Sequence, residues 1–302
     1  MKRTVLLIIL LSVIALAAAA EESEPLKLQL PASDSAISVN RALRAGFLSA
    51  VIPGAGQLVD KRYFRSGMFL AFEAISAAVS YNLYKQQNRE RELALRYRLY
   101  SVFDTMPGRA LLNGQADLVE YSSKVHRYRM YNALTWLGGG YVFNVLDAIG
   151  GRIRVDDEPR DPKIAGILAM VPGLGLGQVY NGEFSKAGMA IMGQVSLGVV
   201  ALNYHRLMIN AENQYRRLNN LKNNADGNSL LFDTYGKEWE FKRRTAFNSR
   251  NMYLWYTLFY YAFWIGDAVI DAHLHDYGKK MNIVPDLQLE QGGALLKLNV
   301  NF

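Results

Sequence analysis

The sequence predicts an all-α, polytopic helical membrane protein of two homologous units, with a small β-hairpin at its C-terminal end. Three features predict this class: an export signal, apolar stretches that alternate with long polar connectors, and an internal repeat. The chain has 302 residues, of which 50% are hydrophobic and 12% aromatic, and it contains no cysteine. Disulfides, a thiol nucleophile and thiolate metal sites are therefore excluded.

Residues 1–20 have the pattern of a signal peptide. Lys2 and Arg3 precede an apolar core at 5–17 that is too short to span a bilayer comfortably, and three alanines follow at 18–20. An uncleaved first anchor is the alternative. Either form places the chain in a bacterial cell envelope, where we expect the inner membrane. The formal net charge of +7 therefore does not indicate a nucleic-acid partner.

A polar segment at 21–41 is predicted to be a flexible leader to two repeat units, which we place at 42–154 and 162–280. The units contain apolar stretches with few charges, mostly of about 18 to 21 residues, which suits transmembrane helices of about 20 residues. These stretches lie at 45–58, 67–84, 133–151, 164–180, 187–204 and 252–272.

Long polar connectors lie at 85–129 and 206–250. Each is predicted to be a helical hairpin, because Met106-Pro107-Gly108 and the segment 223–228 are strong turn signals. Charged residues and tyrosines alternate through both connectors. We expect solvated helices that extend out of the bilayer, and a surface for lipid headgroups or for a partner is the alternative.

The internal repeat is anchored by a Pro-Gly motif. Pro53-Gly54-Ala55-Gly56-Gln57 recurs as Pro172-Gly173-Leu174-Gly175, an inserted Leu176-Gly177, and Gln178. From the two glutamines onward the copies keep an offset of 121 or 120 residues. The pairs matched in this way are Gly67 with Gly188, Glu73 with Gln194, Asn82 with Asn203, and Asp147-Ala148 with Asp267-Ala268.

Pro53-Gly54 and Pro172-Gly173 are predicted to kink or break their helices, because proline lacks the N–H that a helix needs and glycine permits tight geometry. Broken backbone at membrane depth must be buried in protein or line water. We expect Gln57 and Gln178 to bond the carbonyl groups that the breaks free. Two roles stay open: a packing kink without a ligand, and a solute or ion site like those at the broken helices of transporters.

The number of crossings made by the Pro-Gly segments decides the topology. Six crossings would give the two units opposite orientations, whereas re-entrant segments would leave four crossings and parallel units. Basic residues concentrate at 61–65 and 152–163, and this pattern favours six crossings with those loops in the cytoplasm.

The second unit contains two longer motifs, P-G-x-G-(xx)-Q-x-Y-N-G from Pro172 to Gly182 and D-A-x-x-D-A-H-L from Asp267 to Leu274. These motifs resemble an uncharacterised bacterial membrane-protein family of unknown function. The resemblance implies membrane localisation and no known activity. The first unit resembles a degenerate copy, since it lacks the second Asp-Ala-His and has Leu58-Val59-Asp60-Lys61 where the second unit has Val179-Tyr180-Asn181-Gly182.

Polar side chains inside the apolar stretches are further candidates, because a charge at the bilayer centre costs about 2.5–3.5 kcal/mol on insertion scales. They are Glu73, Asp147, Gln194, Asp267, Asp271 and His273. We expect most of them to make polar contacts between helices. Asp267, Asp271, His273 and His275 are also spaced so that a divalent ion could bind, but this spacing is a weak signal and we predict no metal and no cofactor.

Apolar and polar residues alternate on both sides of Gln291-Gly292-Gly293, which predicts a β-hairpin within 281–302. The sequence shows no credible nucleophile–His–acid set, P-loop or dinucleotide fingerprint. We therefore predict a non-enzymatic structural or interaction protein whose partners are the lipid bilayer and an envelope protein. A transporter or channel with the Pro-Gly breaks along its path is the alternative, and a membrane enzyme that uses Asp267, Asp271 and His273 is the third hypothesis.

Overall fold

The computed structural model describes residues 34–152, 160–223, 229–275, 282–290 and 293–301. The predicted signal peptide, most of the leader and the predicted turn of the second connector lie outside the described residues. The first described helix begins at Asp34, so the last part of the predicted leader is helical.

The first unit contains a broken helix followed by a helical hairpin. Helices α1 (Asp34–Val51) and α2 (Ala55–Val59) flank the Pro-Gly turn, and α3 (Tyr63–Phe103) and α4 (Gly108–Gly150) form the hairpin. α3 and α4 contain 41 and 43 residues, so each is roughly 60 Å long at about 1.5 Å per residue. The predicted apolar helices at 67–84 and 133–151 are therefore continuous with the polar connector helices next to them.

The second unit repeats this order of elements. Helices α5 (Pro162–Ala169) and α6 (Leu176–Tyr180) flank the second Pro-Gly turn, and α7 (Phe184–Asn223) and α8 (Ser229–Leu274) form the second hairpin. The carboxylate of Asp161 caps α5 by accepting a hydrogen bond from the backbone N–H of Lys163 at 2.8 Å.

The segment after α8, for which alternation predicted a hairpin, contains two antiparallel strands. They are β1 (Asn282–Glu290) and β2 (Gly293–Asn301), and they pair in a register that places Asn282 opposite Asn301.

The four long helices pack in chain order. Helix α4 lies against α3 on one side and against α7 on the other, and α8 packs on α7. Helices α1 and α2 pack on α4, and α5 and α6 pack on α8. The junction between the units is therefore the α4–α7 contact.

Each Pro-Gly segment begins and ends beside the same end of the long helices. In the second unit, the backbone N–H of Asp161 donates to the hydroxyl of Tyr180 at 3.1 Å, which places the start of α5 beside the end of α6. With 8 and 5 residues, α5 and α6 are also too short to follow α8 along its apolar stretch. The stretch 164–180 is therefore a short helical hairpin in this structure and not one full-length apolar helix.

The polar halves of the long helices, next to the hairpin turns, share a hydrophobic core. Trp239 is 2% exposed and meets Tyr121 edge to face, with ring centroids 5.3 Å apart. Such a contact contributes about 0.5–1.5 kcal/mol beyond the buried area. Around this pair lie the other buried core members Leu118, Leu207, Ala211, Leu218, Tyr235 and Ala246.

The apolar halves, next to the Pro-Gly segments, have the opposite arrangement. Most of their buried positions are small or polar, including Ala148, Ala187, Asn144 and Ser196, although Phe69 and Trp264 are also buried. Their large apolar side chains point outward, and among the most exposed are Leu70, Ile75, Leu254, Trp255, Leu258, Phe259, Phe263 and Ile270. In the described part of the chain, one helix, α7, is long and apolar enough to cross a membrane, judged by length and composition.

Candidate functional site

The carbonyl groups freed at the Pro-Gly breaks bond to the long helices. In the first unit, the Tyr141 hydroxyl donates to the Ala50 carbonyl at 2.6 Å, and the Asn144 amide donates to the Ser49 carbonyl at 3.0 Å. In the second unit, the Tyr261 hydroxyl donates to the Met170 carbonyl at 2.7 Å. The prediction that Gln57 and Gln178 bond these carbonyls is therefore wrong.

The two glutamines instead attach the short helices to the long ones. The Gln57 amide donates to the Asn144 carbonyl at 2.9 Å, and the Gln178 amide donates to the Trp264 carbonyl at 2.7 Å. Both glutamines are almost fully buried. Asn144 and Trp264 are separated by the repeat offset, so the two units make the same contact.

The geometry also corrects the alignment of the motif. Gly54 and Gly175 both precede their short helix with a positive φ, 80° and 58°, and a Cβ on either would meet backbone of the following long helix. Equivalent positions are therefore Gly54-x-Gly56-Gln57 and Gly175-x-Gly177-Gln178. The second unit therefore has one extra residue, which lies before Gly175, whereas the sequence alignment placed two extra residues after it. Pro172-Gly173 accordingly belongs to a longer turn between α5 and α6.

The loop after each short helix has the same backbone in both units. The Arg62 N–H donates to the Gln57 carbonyl at 2.9 Å, and the Glu183 N–H donates to the Gln178 carbonyl at 2.8 Å. This is the Schellman pattern of a helix end, which requires a left-handed residue. That residue is Gly182 (φ 79°) in the second unit and Lys61 (φ 60°) in the first.

The residue before Gly182 also holds the loop in place. Asn181 is buried and donates through its amide to the Ala268 carbonyl at 2.7 Å. Asp60, the counterpart of Asn181, forms an ion pair with Arg152 instead. The Tyr-Asn-Gly motif is therefore a structural loop, and the first unit keeps its shape with different residues.

Asp147 is the most connected side chain of the candidate site. It is 1% exposed. Its two oxygens accept hydrogen bonds from Arg62 at 2.7 Å, Arg65 at 2.5 Å, Ser185 at 2.7 Å and Gln57 at 3.2 Å. Ser185 begins the second unit's long helix, so this carboxylate joins both units. Its bonds are those of a paired structural charge.

Asp267, the counterpart of Asp147, binds a lysine. The Lys186 ammonium lies 3.3 Å from Asp267 and 2.5 Å from Asp271, whereas the His273 side chain is exposed. Lys186 and Arg65 are separated by the repeat offset, so both units pair a base at the start of one long helix with an acid at the end of the next. Within the described ranges, no group of three or more His, Asp or Glu side chains is arranged to hold a metal ion.

Gln194 and Glu73 occupy equivalent positions with different contacts. The Gln194 side-chain oxygen accepts from the Gly173 backbone N–H at 2.5 Å. In the first unit, the Gly54 N–H donates to the Asn144 side chain at 3.1 Å. Glu73 is half-buried, and one of its oxygens has no hydrogen-bond partner among the described residues.

Four residues that make these contacts are missing from the predictions made from the sequence, and only two of them, Asn144 and Ser185, lack a signal in the repeat. Tyr141 and Tyr261 lie at the repeat offset, and a search for repeated tyrosines could have found them. Asn144 corresponds to Trp264, so the repeat gives no signal for it. Ser185 also lacks a polar counterpart, because the equivalent residue in the first unit is Phe64.

The comparisons with known proteins agree with two copies of one unit. The model of a family of unknown function, DUF5683, matches residues 38–150 and again residues 158–301. No curated protein and no solved structure matches the chain. Because the two matches cover most of the chain and coincide with the two structural units, the protein belongs to the family of unknown function DUF5683.

Proposed function

We propose that this protein is a non-enzymatic interaction protein of the bacterial inner membrane. The apolar halves of α3, α4, α7 and α8 cross the bilayer, and their polar halves project from it as a helical stalk. The stalk presents a surface to another envelope protein. The Pro-Gly hairpins and the Asp147 cluster hold the membrane part together.

The single observation that carries this proposal is the reversal of polarity between the two halves. In the polar half, Trp239 and Tyr121 are buried, as in a water-soluble bundle. In the apolar half, Asn144 and Asp147 are buried, whereas Phe259 and Phe263 are more than 60% exposed. An apolar outer surface around small and polar contacts is what helices in lipid require.

A belt of tyrosines supports the position of one membrane boundary. Tyr204 stacks on Tyr253 with ring centroids 5.4 Å apart, and Tyr253 contacts Tyr256. Tyrosines concentrate at membrane–water interfaces because their rings are amphipathic. The other members lie where the apolar halves of α3 and α4 end, and they are Tyr81, Tyr84, Tyr128 and Tyr131.

The depth of the Pro-Gly hairpins fits re-entrant segments. The first hairpin tip bonds to Tyr141, nine residues before the end of α4 at Gly150. Nine residues correspond to roughly 14 Å along a helix, about half of a 30 Å hydrocarbon core. With four crossings, the leader and the loops at 61–65, 152–163 and 181–186 all lie on one side.

Two features support an interaction role over transport. The amide groups at the breaks, Gly54 N–H and Gly173 N–H, both donate to side chains of the long helices. On the stalk, α3 also presents an exposed apolar stripe at helical spacing, composed of Leu95, Leu99, Val102 and Phe103. We propose that an apolar helix of an envelope protein covers this stripe.

Site-specific photo-crosslinking in cells tests the partner. A crosslinker at position 99 should capture a discrete protein band, and the same crosslinker at position 216, an exposed position of α7 away from the stripe, should not. Phe103→Ser should reduce the band at position 99 several-fold. A band that contains only this chain would assign the stripe to a second copy, and no band from intact cells would contradict the partner proposal.

Membrane residence needs its own test. Alkaline carbonate washing of isolated membranes should leave the full chain in the pellet, because four apolar crossings resist extraction. Recovery of the chain in the supernatant would refute the proposed function.

A further inference from the structure

A cleft opens between α4, α7 and α8, directly beside the tyrosine belt. Its volume is about 410 Å³. Tyr128 and Tyr204 lie at its membrane end, next to Asn203, whose amide donates to the Asn132 side chain at 2.7 Å. The cleft therefore begins where the apolar halves end, at the depth at which lipid headgroups lie.

Two basic side chains line this cleft. Arg129 is exposed and has no acidic partner among the residues described by the structure. Lys242 is 23% exposed, lies 5.4 Å from the centre of the Tyr121 ring, and contacts Glu238 at 3.2 Å. Because Glu238 is itself half-exposed, it leaves the cleft with a net positive charge that attracts an anionic group.

Hydroxyl groups and apolar walls complete the cleft. Burial raises the pKa of Tyr121 to about 12, so this phenol stays protonated at neutral pH and can donate a hydrogen bond. Thr245 and Ser249 add two further hydroxyls, and Val125 and Leu207 form an apolar wall. A ligand that fits must combine an anionic, hydrogen-bond-accepting group with an apolar part.

We propose that this cleft binds the phosphate group of an anionic membrane lipid, with Arg129 and Lys242 as its basic ligands and the acyl chains directed toward the apolar halves. Phosphate accepts several charge-assisted hydrogen bonds. Each basic residue near an anionic lipid surface contributes about 1 kcal/mol. This inference rests on the proposed membrane location and adds a lipid class to it.

Native mass spectrometry of the full chain in neutral detergent tests the inference. With dioleoyl phosphatidylglycerol, the wild-type protein should retain roughly tenfold more bound lipid than with dioleoyl phosphatidylcholine. The double variant Arg129→Gln, Lys242→Gln should lose this preference, whereas Arg129→Lys should keep most of it. The control double variant Arg96→Gln, Arg216→Gln removes the same charge from exposed sites on the stalk and should bind as the wild type does.

The outcomes separate the two sources of phosphate and the two proposals. Competition by glycerol 3-phosphate at the lipid's own concentration would assign the cleft to a soluble phosphate ester and overturn the lipid assignment. Undiminished phosphatidylglycerol binding by Arg129→Gln, Lys242→Gln would overturn the site. If that variant loses lipid but stays in carbonate-washed membranes, the site is supported; if the wild-type chain itself washes out, the membrane proposal fails regardless of lipid binding.

Discussion

At the residue scale, the first unit adopts the same loop as the second without the glycine that suits it. Lys61 has φ 60° where the second unit has Gly182. A side chain in this left-handed conformation costs roughly 1–2 kcal/mol, because Cβ approaches the next carbonyl oxygen. The contact from Arg62 to Asp147 fixes the neighbouring residue and holds the loop in this shape.

We therefore predict that Lys61→Gly raises the free energy of unfolding by about 0.5–1 kcal/mol, because the left-handed strain exceeds the extra backbone entropy of glycine in the unfolded chain. Gly182→Lys should lower it by a similar amount. Thermal unfolding of the detergent-solubilised protein measures both changes. A destabilising Lys61→Gly would contradict the assigned backbone of this loop.

The two equivalent aspartates should differ in their contribution to stability. Asp147→Asn removes a buried carboxylate from Arg62 and Arg65, whose side chains are 24% and 51% exposed, so we expect a loss of about 1–3 kcal/mol, less than for a fully buried pair. Asp267→Asn should lower the free energy of unfolding by less, because Lys186 keeps its ion pair with Asp271 at 2.5 Å. If a denaturant titration gave equal losses of unfolding free energy for the two variants, Asp147 would not be the main contact between the two units.

At the element scale, the short helices α2 and α6 are each held by one buried glutamine. The amide contacts to the Asn144 and Trp264 carbonyls are the same in both units. A packing role and a path-lining role therefore make different predictions for these residues.

Replacing Gln57 or Gln178 by leucine should lower the free energy of unfolding by about 1–3 kcal/mol, because a buried carbonyl loses its donor. Asn88→Leu, at an exposed position of α3, is the control and should change stability by less than about 0.5 kcal/mol. Normal stability in both glutamine variants would favour a path-lining role.

How far the sequence predicts the fold depends on which residues carry each feature. The repeated Gln57 and Gln178, and Asp147 and Asp267, align the units, and all of them except Asp267 are buried. The pattern of basic residues favoured six crossings because Lys61, Arg62 and Arg65 were counted as topological signals. Arg62 and Arg65 instead pair with Asp147, and a sequence does not show which basic residues are already paired. The sequence also does not give the correct alignment of the two Pro-Gly turns, because Pro53 and Pro172 are not equivalent positions.

At the whole-molecule scale, four crossings with an exported N-terminal end would place the hairpin turns in the cytoplasm. The polar halves carry about nine basic residues each, which is consistent with the positive-inside rule. The loops at 61–65, 152–163 and 181–186, at the opposite end of the long helices, carry basic residues too, but several of these are paired with acidic side chains.

The chain has no cysteine, so single-cysteine variants report topology without background. In intact cells, Glu183→Cys in the loop between α6 and α7 should react with a membrane-impermeant maleimide. Thr105→Cys at the first hairpin turn should react only after lysis. A cysteine at position 61 should label like the one at position 183. Opposite labelling of positions 61 and 183 would restore the six-crossing arrangement.

The junction between α4 and α7 depends on a residue of α4 that has no side chain. Gly139 of α4 lets the backbone of Met192 approach closely, since a Cβ there would lie 3.0 Å from the Met192 Cα. The residue of α8 at the same place in the repeat is Phe259, which is 66% exposed. A third copy could not dock on α8 as α7 docks on α4, because a phenyl ring fills the space that a glycine leaves open. The face of α8 that corresponds to the docking face of α4 is therefore closed to a helix that packs as closely as α7 packs on α4.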